Sequence, residues 1–360
     1  MELLDLEIKP LDEAAMSAAR ARQAQLAKPP GSLGRLEELS VQLAGITGKV
    51  RNTIEKKHLL VFAADNGVVE EGVSSAPQSV TLQQTVNLTR GKTGASVLAR
   101  HFGCGITVCD VGVNADVTEK AVLNRKIAYG TKNIAQGPAM TREQALTAIR
   151  TGIELAQSTD ADVLGVGEMG IGNTTTSSAV LSVLLDADVE DVTGRGGGIT
   201  DENFRKKKDV IRRAIALNRP DRSDVVDVLA KVGGFDIAAM CGAFLGAAAT
   251  QRPVVIDGFI SAVAALCAVR LCPNVRGYLI PSHASYEIGY RLAMDAMALQ
   301  PMLLLEMRLG EGSGCPLAFE ILSAACAVMN HMATFDQAGI NDDYLDEIRV
   351  GDKFTVEGKP

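Results

Sequence analysis

Short apolar runs, each followed by a longer stretch with helical spacing, dominate the chain from residue 58 onwards. The runs are apolar throughout rather than alternating, which is typical of strands buried on both faces of a parallel sheet. Their alternation with helical stretches predicts a doubly wound α/β fold with a mostly parallel sheet of about six strands. The predicted strands are Leu59–Ala64, Ile106–Val111, Val163–Val166, Val254–Ile256, Gly277–Ile280 and Met302–Leu305.

Both ends of the chain have helical patterns without a strand beside them. Residues 11–26 are rich in Ala, Arg and Gln and stop at Lys28-Pro29-Pro30-Gly31, and residues 33–46 repeat apolar side chains at helical spacing. Another helix, from about 320 to 332, precedes a polar tail. We therefore predict a large α/β domain, 58–310, and a small mainly helical domain built from 1–57 and 311–360.

Four further segments of the predicted α/β domain have helical patterns. Residues 140–157 begin with Thr141 and Gln144 at the spacing of a capping box. Residues 201–231 are charged, which is typical of a helix on the outside. The apolar stretches Ile237–Thr250 and Phe259–Val269 are rich in small residues and too short to cross a bilayer, so we expect buried helices.

The charge balance argues against several classes of partner. The chain has 36 basic and 43 acidic side chains, and its only strong basic run is Lys206-Lys207-Lys208. A protein that binds nucleic acid or an anionic membrane surface would carry a larger basic patch. The seven cysteines include no C-x-x-C pair, and the first ten residues lack a secretory pattern. We therefore expect a cytoplasmic protein with neither nucleic-acid nor membrane partners.

A glycine-rich segment follows the predicted strand Val163–Val166. It reads Gly167-Glu168-Met169-Gly170-Ile171-Gly172 and continues into Asn173-Thr174-Thr175, which opens a helix. Ligands of such folds bind beyond the carboxyl ends of the strands, and the free N–H groups of a helix start favour an anion. The segment therefore predicts an anion site with one carboxylate, Glu168. The alternative is a carboxylate that only accepts hydrogen bonds from loop amides.

A second lone carboxylate lies in Arg308-Leu309-Gly310-Glu311-Gly312-Ser313-Gly314-Cys315, after the last predicted strand. Its position and its glycine frame favour catalysis by Glu311. The alternative is an acidic cap for the helix that follows. We find neither a nucleophile elbow nor metal-ligand spacing, so no metal site is predicted.

These motifs, with three others, resemble the nicotinate-nucleotide–dimethylbenzimidazole phosphoribosyltransferases of cobalamin assembly. The others are Lys28-Pro29-Pro30-Gly31-Ser32-Leu33-Gly34-Arg35-Leu36, Ala64-Asp65-Asn66-Gly67-Val68 and Thr193-Gly194-Arg195-Gly196. Together the motifs keep the family's order from about residue 28 to 330. The resemblance implies a parallel α/β domain with a small helical domain from both chain ends, a homodimer, and no cofactor.

The resemblance also implies roles for individual residues. Glu311 matches the family's catalytic proton acceptor, and Glu168 matches a second active-site glutamate. Lys207 matches a lysine near the nucleotide phosphate, although the run of three lysines leaves the choice among them open. Further substrate-binding positions are expected at Ser74, Gln83, Gly170, Gly172, Asn173, Thr174, Thr175, Gly196, Gly310 and Gly312.

The activity that the resemblance implies is transfer of the 5-phosphoribosyl group from nicotinate mononucleotide to 5,6-dimethylbenzimidazole or a related base. Its products would be α-ribazole 5′-phosphate and nicotinate. Two alternatives stay open at this point. One is an inactive nucleotide-binding regulator with the same fold, and the other is a phosphoribosyltransferase with another acceptor base or a pyrophosphorylated sugar donor.

Overall fold

The structure is a computed structural model, and it describes residues 6–349. Residues 6–10 and Glu55–Glu320 form one compact unit, which contains the sheet. Leu11–Ile54 and residues 321–349 form a second, helical unit. The predicted domains, 58–310 and 1–57 with 311–360, stay a prediction, and residues 350–360 lie outside the described part of the chain.

Six parallel strands form the sheet of the first unit. Strand β1 pairs with β2 on one side, where Leu59 is opposite Ile106, and with β4 on the other, where Leu59 is opposite Gly165. The order is β3-β2-β1-β4-β5-β6, and the predicted fold class is confirmed. The strands are β1 Lys57–Ala64, β2 Gly105–Gly112, β3 Val122–Asn124, β4 Val163–Met169, β5 Val254–Ile256 and β6 Leu279–Pro281.

Five of the six predicted strands overlap an observed one, and the sixth is wrong. Residues 302–305 contribute only one bridge, between Leu303 and His283, and the side chain of Leu304 is 83% exposed. This apolar run therefore lies on the surface instead of filling a sheet position. The observed strand that was not predicted is β3. It pairs with β2 and has a single buried residue, Val122.

The predicted helices are present, with one interruption. Residues 201–231 form two helices rather than one because Pro220 follows the left-handed Arg219. The capping box at Thr141 is confirmed. The helices are α1 Glu13–Gln25, α2 Arg35–Thr47, α3 Ser79–Thr89, α4 Gly94–His101, α5 Arg142–Ser158, α6 Asn173–Leu185, α7 Val189–Val192, α8 Asp201–Asn218, α9 Val225–Val232, α10 Phe235–Ala249, α11 Phe259–Leu271, α12 Ile288–Met297, α13 Cys315–His331, α14 Phe335–Ala338 and α15 Asp346–Arg349. Short 3₁₀ helices cover Gly67–Glu71, Pro273–Tyr278 and Asp343–Leu345.

The strand order changes direction between β1 and β4. The chain adds β2 and β3 on one side of β1 and then crosses to add β4, β5 and β6 on the other. A crevice opens at such a switch point, beyond the carboxyl ends of the strands. At that edge Ala63 of β1 is opposite Met169 of β4, one residue after Glu168. The topology therefore places the glycine-rich segment at the crevice.

Helices α5 and α10 cross with their backbones in contact, and two glycines allow it. A Cβ atom on Gly152 would lie 1.8 Å from the carbonyl oxygen of Ala239. Reciprocally, a Cβ on Gly242 would lie 1.9 Å from the carbonyl oxygen of Ile149. No side chain fits between backbones at this distance, so the packing of these helices depends on the two glycines.

We expect Gly152→Ala to destabilise the protein, although the same change in an exposed helix would stabilise it. The added methyl has to displace the backbone of α10, and overpacking of this kind costs about 1–3 kcal/mol. Chemical denaturation measures the loss. Gly137→Ala is the control because no atom lies within 4 Å of its added Cβ. Equal stability of the two variants would contradict the close approach.

In the second unit, α1 and α2 pack around a small apolar core. Its buried members include Ala19, Leu26 and Ala44. The motif at Lys28 has a structural role here: the ammonium donates to Glu37 at 2.6 Å, and the same carboxylate oxygen accepts the N–H of Leu33. The motif thus fixes the turn that precedes α2.

Candidate active site

A cavity of about 280 Å³ opens beyond the carboxyl ends of β4, β5 and β6. It brings together the two glycine-rich segments, because Glu168 and Glu311 both line it. Both side chains are nearly inaccessible to solvent, at 7% and 5% exposure. The other predicted site residues on its wall are Ser74, Gly170, Gly172, Asn173, Thr174, Gly196 and Gly310.

Glu311 is held in an unusual backbone conformation. Its φ is 63°, in the left-handed region, between Gly310 and Gly312, each at 85°. Non-glycine residues in this region carry strain and are enriched at functional sites. The carboxylate Oε2 accepts the N–H of Ala95 at 3.1 Å, in the first turn of α4, while Oε1 has no hydrogen-bond partner among residues 6–349. One oxygen is therefore anchored and the other is available to a ligand.

Asp257, which follows β5, holds the glycine hairpin of Glu311 in place. Its two carboxylate oxygens accept the N–H groups of Gly312 at 3.0 Å and Gly314 at 2.7 Å. These amides precede the first turn of α13. The carboxylate that serves the start of this helix is therefore Asp257, whereas Glu311 caps α4. The alternative of Glu311 as a cap for the following helix is wrong.

Glu168 lies at the end of β4 and contacts the same hairpin. Its Oε1 accepts the N–H of Glu311 at 3.3 Å, and its Oε2 accepts the side-chain amide of Asn173 at 2.5 Å. Burial, followed by the charge of Asp236, raises the pKa of Glu168 to about 8. Burial therefore favours the protonated form of this carboxyl group at neutral pH.

Asn173 connects Glu168 to a third buried carboxylate. Its amide nitrogen donates to Glu168 and also to Asp236 Oδ2 at 3.0 Å. Asp236 lies in the first turn of α10, where its Oδ1 accepts the N–H of Ile237. Burial raises the pKa of Asp236 to about 6, less than that of Glu168, because amide donors and the helix start favour its charged form.

Among the three consecutive lysines, Lys207 is the one directed to the site. It is completely buried, and its ammonium donates to the hydroxyl of Thr174 at 2.9 Å and to the carbonyl of Gly194 at 3.0 Å. Burial lowers its pKa to about 8. Lys208 instead pairs with Glu190. Lys207 reaches the cavity wall through Thr174 and is not itself part of that wall.

Three other predicted residues lie off the cavity wall. Gln83 is exposed on α3, and the adjacent Gln84 lines the cavity, since successive helix positions differ by about 100°. Thr175 is fully buried behind the wall. Gly312 contributes its N–H to Asp257. At this turn of α3, Gln84 rather than the expected Gln83 therefore lies at the cavity.

Several polar residues of the site were not predicted. Asp257 ends a predicted strand, so its position was a usable signal, whereas nothing local marks Asp236. His283 lines the cavity next to Ser282, whose hydroxyl lies 3.0 Å from His283 Nδ1. Burial lowers the pKa of His283 to about 4, which keeps the ring neutral. Glu287 is also on the wall.

The described residues contain neither a candidate metal-binding group nor a candidate membrane-spanning helix. Among residues 6–349, no group of three or more His, Cys, Asp and Glu side chains is arranged to hold a metal ion. None of the helices in this part of the chain combines the length and the apolar character needed to cross a membrane.

Comparison with known proteins identifies the family. The phosphoribosyltransferase family model DBI_PRT matches residues 8–340. The chain belongs to this family. Relatives named nicotinate-nucleotide–dimethylbenzimidazole phosphoribosyltransferase include one from Clostridium tetani, 51% identical over 95% of this chain and 96% of its own. Another, from Ruminiclostridium cellulolyticum, is 54% identical over 92% and 96%.

Solved structures of the family agree with the fold. The enzyme of the same name from Thermus thermophilus matches with a TM-score of 0.87 and 40% identity, over 92% of this chain and 99% of its own. A crystal structure of CobT from the same organism matches with a TM-score of 0.88. The predicted family and enzyme class, a phosphoribosyltransferase, are confirmed.

Proposed function

We propose that this enzyme transfers the 5-phosphoribosyl group of nicotinate mononucleotide to 5,6-dimethylbenzimidazole or a related base. The products are α-ribazole 5′-phosphate and nicotinate, for assembly of the cobalamin nucleotide loop. One observation carries the proposal: the two glutamates of the family motifs line one cavity, and the backbone N–H of Glu311 donates to Glu168.

The departure of nicotinate needs no general acid. The leaving group is a pyridinium, whose ring nitrogen becomes neutral as the glycosidic bond breaks. Positive charge then develops on the ribose as an oxocarbenium. An ionised Glu168 beside the anomeric carbon stabilises that charge electrostatically.

The attacking base has to lose a proton from its second nitrogen. In our proposal the base lies between the ribose and Glu311, and the free Oε1 of Glu311 takes this proton. The hydrogen bond from Ala95 occupies Oε2 and leaves Oε1 to accept the proton. Attack opposite the departing pyridinium inverts the β-nucleotide and gives the α-riboside.

The 5′-phosphate is assigned to the start of α6. The N–H of Thr174 lies in the first turn, where a helix offers it no acceptor, and Gly196 of the neighbouring loop lies against the Thr174 hydroxyl. Lys207 adds a positive charge behind the same hydroxyl. The N–H groups of the helix start and the nearby ammonium would both stabilise the negative charge of a phosphate dianion.

We expect Lys207→Gln to raise the KM for nicotinate mononucleotide by about 10–100-fold, because it removes the buried positive charge behind the Thr174 hydroxyl, and an interaction that involves a charged group is worth about 1.5–3 kcal/mol. Steady-state kinetics at saturating base measures the change. Lys206→Gln and Lys208→Gln are the matched controls and should leave KM near its original value. A larger increase in KM in either control would mean that the other lysine, and not Lys207, interacts with the phosphate.

The activity itself is tested by incubating the enzyme with nicotinate mononucleotide and dimethylbenzimidazole and measuring free nicotinate. Release of nicotinate separates a transferase from an inactive regulator of the same fold. Competition among dimethylbenzimidazole, other benzimidazoles, purines and phenols identifies the preferred acceptor. Loss of activity in EDTA would instead indicate a donor that is bound through a metal ion.

The proposal includes a homodimer, as the family resemblance implies, a cytoplasmic location, and two domains, 58–310 and 1–57 with 311–360. Light scattering after size exclusion is expected to give about twice the chain mass of 37.9 kDa. Limited proteolysis should cut near the domain boundaries before it degrades either part.

A further inference from the structure

A buried group of carboxylates surrounds Glu168, and the proposed chemistry uses only part of it. Asp236 and Asp257 are almost completely inaccessible, as is Glu168 itself. Each negative charge of Asp236 and Asp257 raises the pKa of Glu168, in addition to the effect of burial. Two carboxylates that share one low-dielectric site cannot both ionise freely, so one proton is retained between them.

The amide of Asn173 makes Glu168 and Asp236 one unit. Its nitrogen lies 2.5 Å from Glu168 Oε2 and 3.0 Å from Asp236 Oδ2. On the far side, Asp236 is fixed by the N–H of Ile237, and Asn66 contributes a further side-chain hydrogen bond. Glu168 has fewer donors, since its remaining oxygen accepts only the N–H of Glu311, at 3.3 Å. The geometry therefore favours charge on Asp236 and the proton on Glu168.

The charged groups around this pair do not neutralise it. The ammonium of Lys207 is bonded to Thr174 and Gly194, and burial lowers its pKa, an effect that the charge of Glu287 partly opposes. Arg308, on the cavity wall, stacks on Tyr286. The other neighbours of the pair are Asp257, Glu311 and the neutral His283.

We propose that Asp236 is a further positioning residue of this enzyme: its negative charge, held next to Glu168 by the shared amide of Asn173, keeps a proton on Glu168 in the free enzyme, and the cationic ring of the nicotinate glycoside displaces that proton on binding. The inference rests on the proposed function, because it needs a cationic glycoside beside Glu168. No covalent bond to carbon changes in this step. The proton moves from the Glu168 carboxyl to buffer, and the new carboxylate faces the ring cation. Glu168 is thus ionised only when there is a positive charge to stabilise.

Calorimetric titration in two buffers of different ionisation enthalpy counts the protons exchanged on binding. Nicotinate mononucleotide, without acceptor base, is compared with ribose 5-phosphate, which has the phosphate but no cationic ring. Proton uptake by Lys207 is common to both ligands and cancels in the difference. Near neutral pH we expect the mononucleotide to release roughly one proton more per site than ribose 5-phosphate. Equal counts for the two ligands would overturn the proposal without any variant.

Two variants separate positioning from a merely structural effect, because they shift the pH dependence in opposite directions. Asp236→Asn removes a negative neighbour, which lowers the pKa of Glu168, so the proton difference shrinks and the acid limb of kcat/KM moves to lower pH. Asn173→Ala removes a donor to the carboxylate, so that limb moves to higher pH. Asp162→Asn is the control, since Asp162 bonds the N–H groups of Glu55 and Lys56 at the amino-terminal edge of the sheet. Shifts of the same sign in both site variants would exclude the proposed role of Asp236.

The nicotinate assay distinguishes failure of the inference about Asp236 from failure of the proposed function. If nicotinate forms but the proton counts of the two ligands are equal, the enzyme has the proposed function and the inference about Asp236 is wrong. If no nicotinate forms, the proposed function is wrong.

Discussion

Glu311→Gln is expected to lower turnover by about 10²–10⁴-fold while nicotinate mononucleotide still binds, because general-base catalysis is worth about that much. The amide keeps the size of the side chain and can still accept the N–H of Ala95 through its carbonyl oxygen. Only the capacity to take a proton from the attacking base is lost. Single-turnover formation of nicotinate, with binding measured separately by calorimetry, distinguishes the chemical step from affinity.

Glu306→Gln is a matched control within the same segment. Glu306 has the same left-handed backbone, with φ of 53°, but its side chain is exposed. The control should retain normal turnover. If Glu311→Gln also turned over normally, the base would have to lose its proton to another group, and Glu311 would serve only as the cap of α4.

The sheet was largely predictable because most of its strands are buried on both faces and form unbroken apolar runs. Two errors have the same physical origin. Residues 302–305 have the composition of a strand but lie on the surface, with Leu304 83% exposed. Strand β3 lies at the sheet edge and needs only Val122 to be buried. An apolar run predicts a strand only where strands are buried. An edge strand can form with few apolar residues, and an apolar run on the surface need not be a strand.

The site was predictable where its residues are consecutive, and much less so where they meet only in three dimensions. Glu168, Asn173 and Glu311 belong to glycine-rich motifs, so they were found. The distance between Asn173 and Asp236 depends on how α10 packs against the sheet, which no local pattern encodes. Gln84 lines the cavity where Gln83 was expected. The two are adjacent on α3, and sequence spacing alone does not determine which of them faces the cavity.

The charge state of Glu168 could not be predicted from sequence for a related reason. The sequence places Glu168 among glycines, and neither their pattern nor the family resemblance indicates that the carboxyl group is buried. Burial raises its pKa to about 8, which favours the protonated carboxyl at neutral pH until a cation lies beside it. In our mechanism Glu168 therefore becomes the charged stabiliser of the ribose cation only after the substrate has bound.

The second large effect is expected for Gly167→Ala in β4. A Cβ at this position would lie 2.5 Å from the carbonyl oxygen of Glu311 and from the N of Gly312, both backbone atoms of the hairpin. The hairpin therefore has to move, and Glu311 moves with it. A displacement of about 1 Å from the reacting atoms can cost about 10²-fold in rate. We expect turnover to fall by about that factor, with a loss of about 1–3 kcal/mol in unfolding free energy from overpacking.

Gly165→Ala separates displacement of the hairpin from general loss of packing. It is in the same strand, two residues earlier on the same face, but its added Cβ meets side-chain atoms of Cys315 and Phe319. Denaturation of both variants is expected to show comparable destabilisation, and only Gly167→Ala should lose most of its turnover. Because Glu168 and Asn173 stay in place, both variants should still bind nicotinate mononucleotide. If the two variants had equal turnover and equal stability, displacement of the hairpin would not affect the rate. Proton transfer to Glu311 could then not be the rate-limiting step.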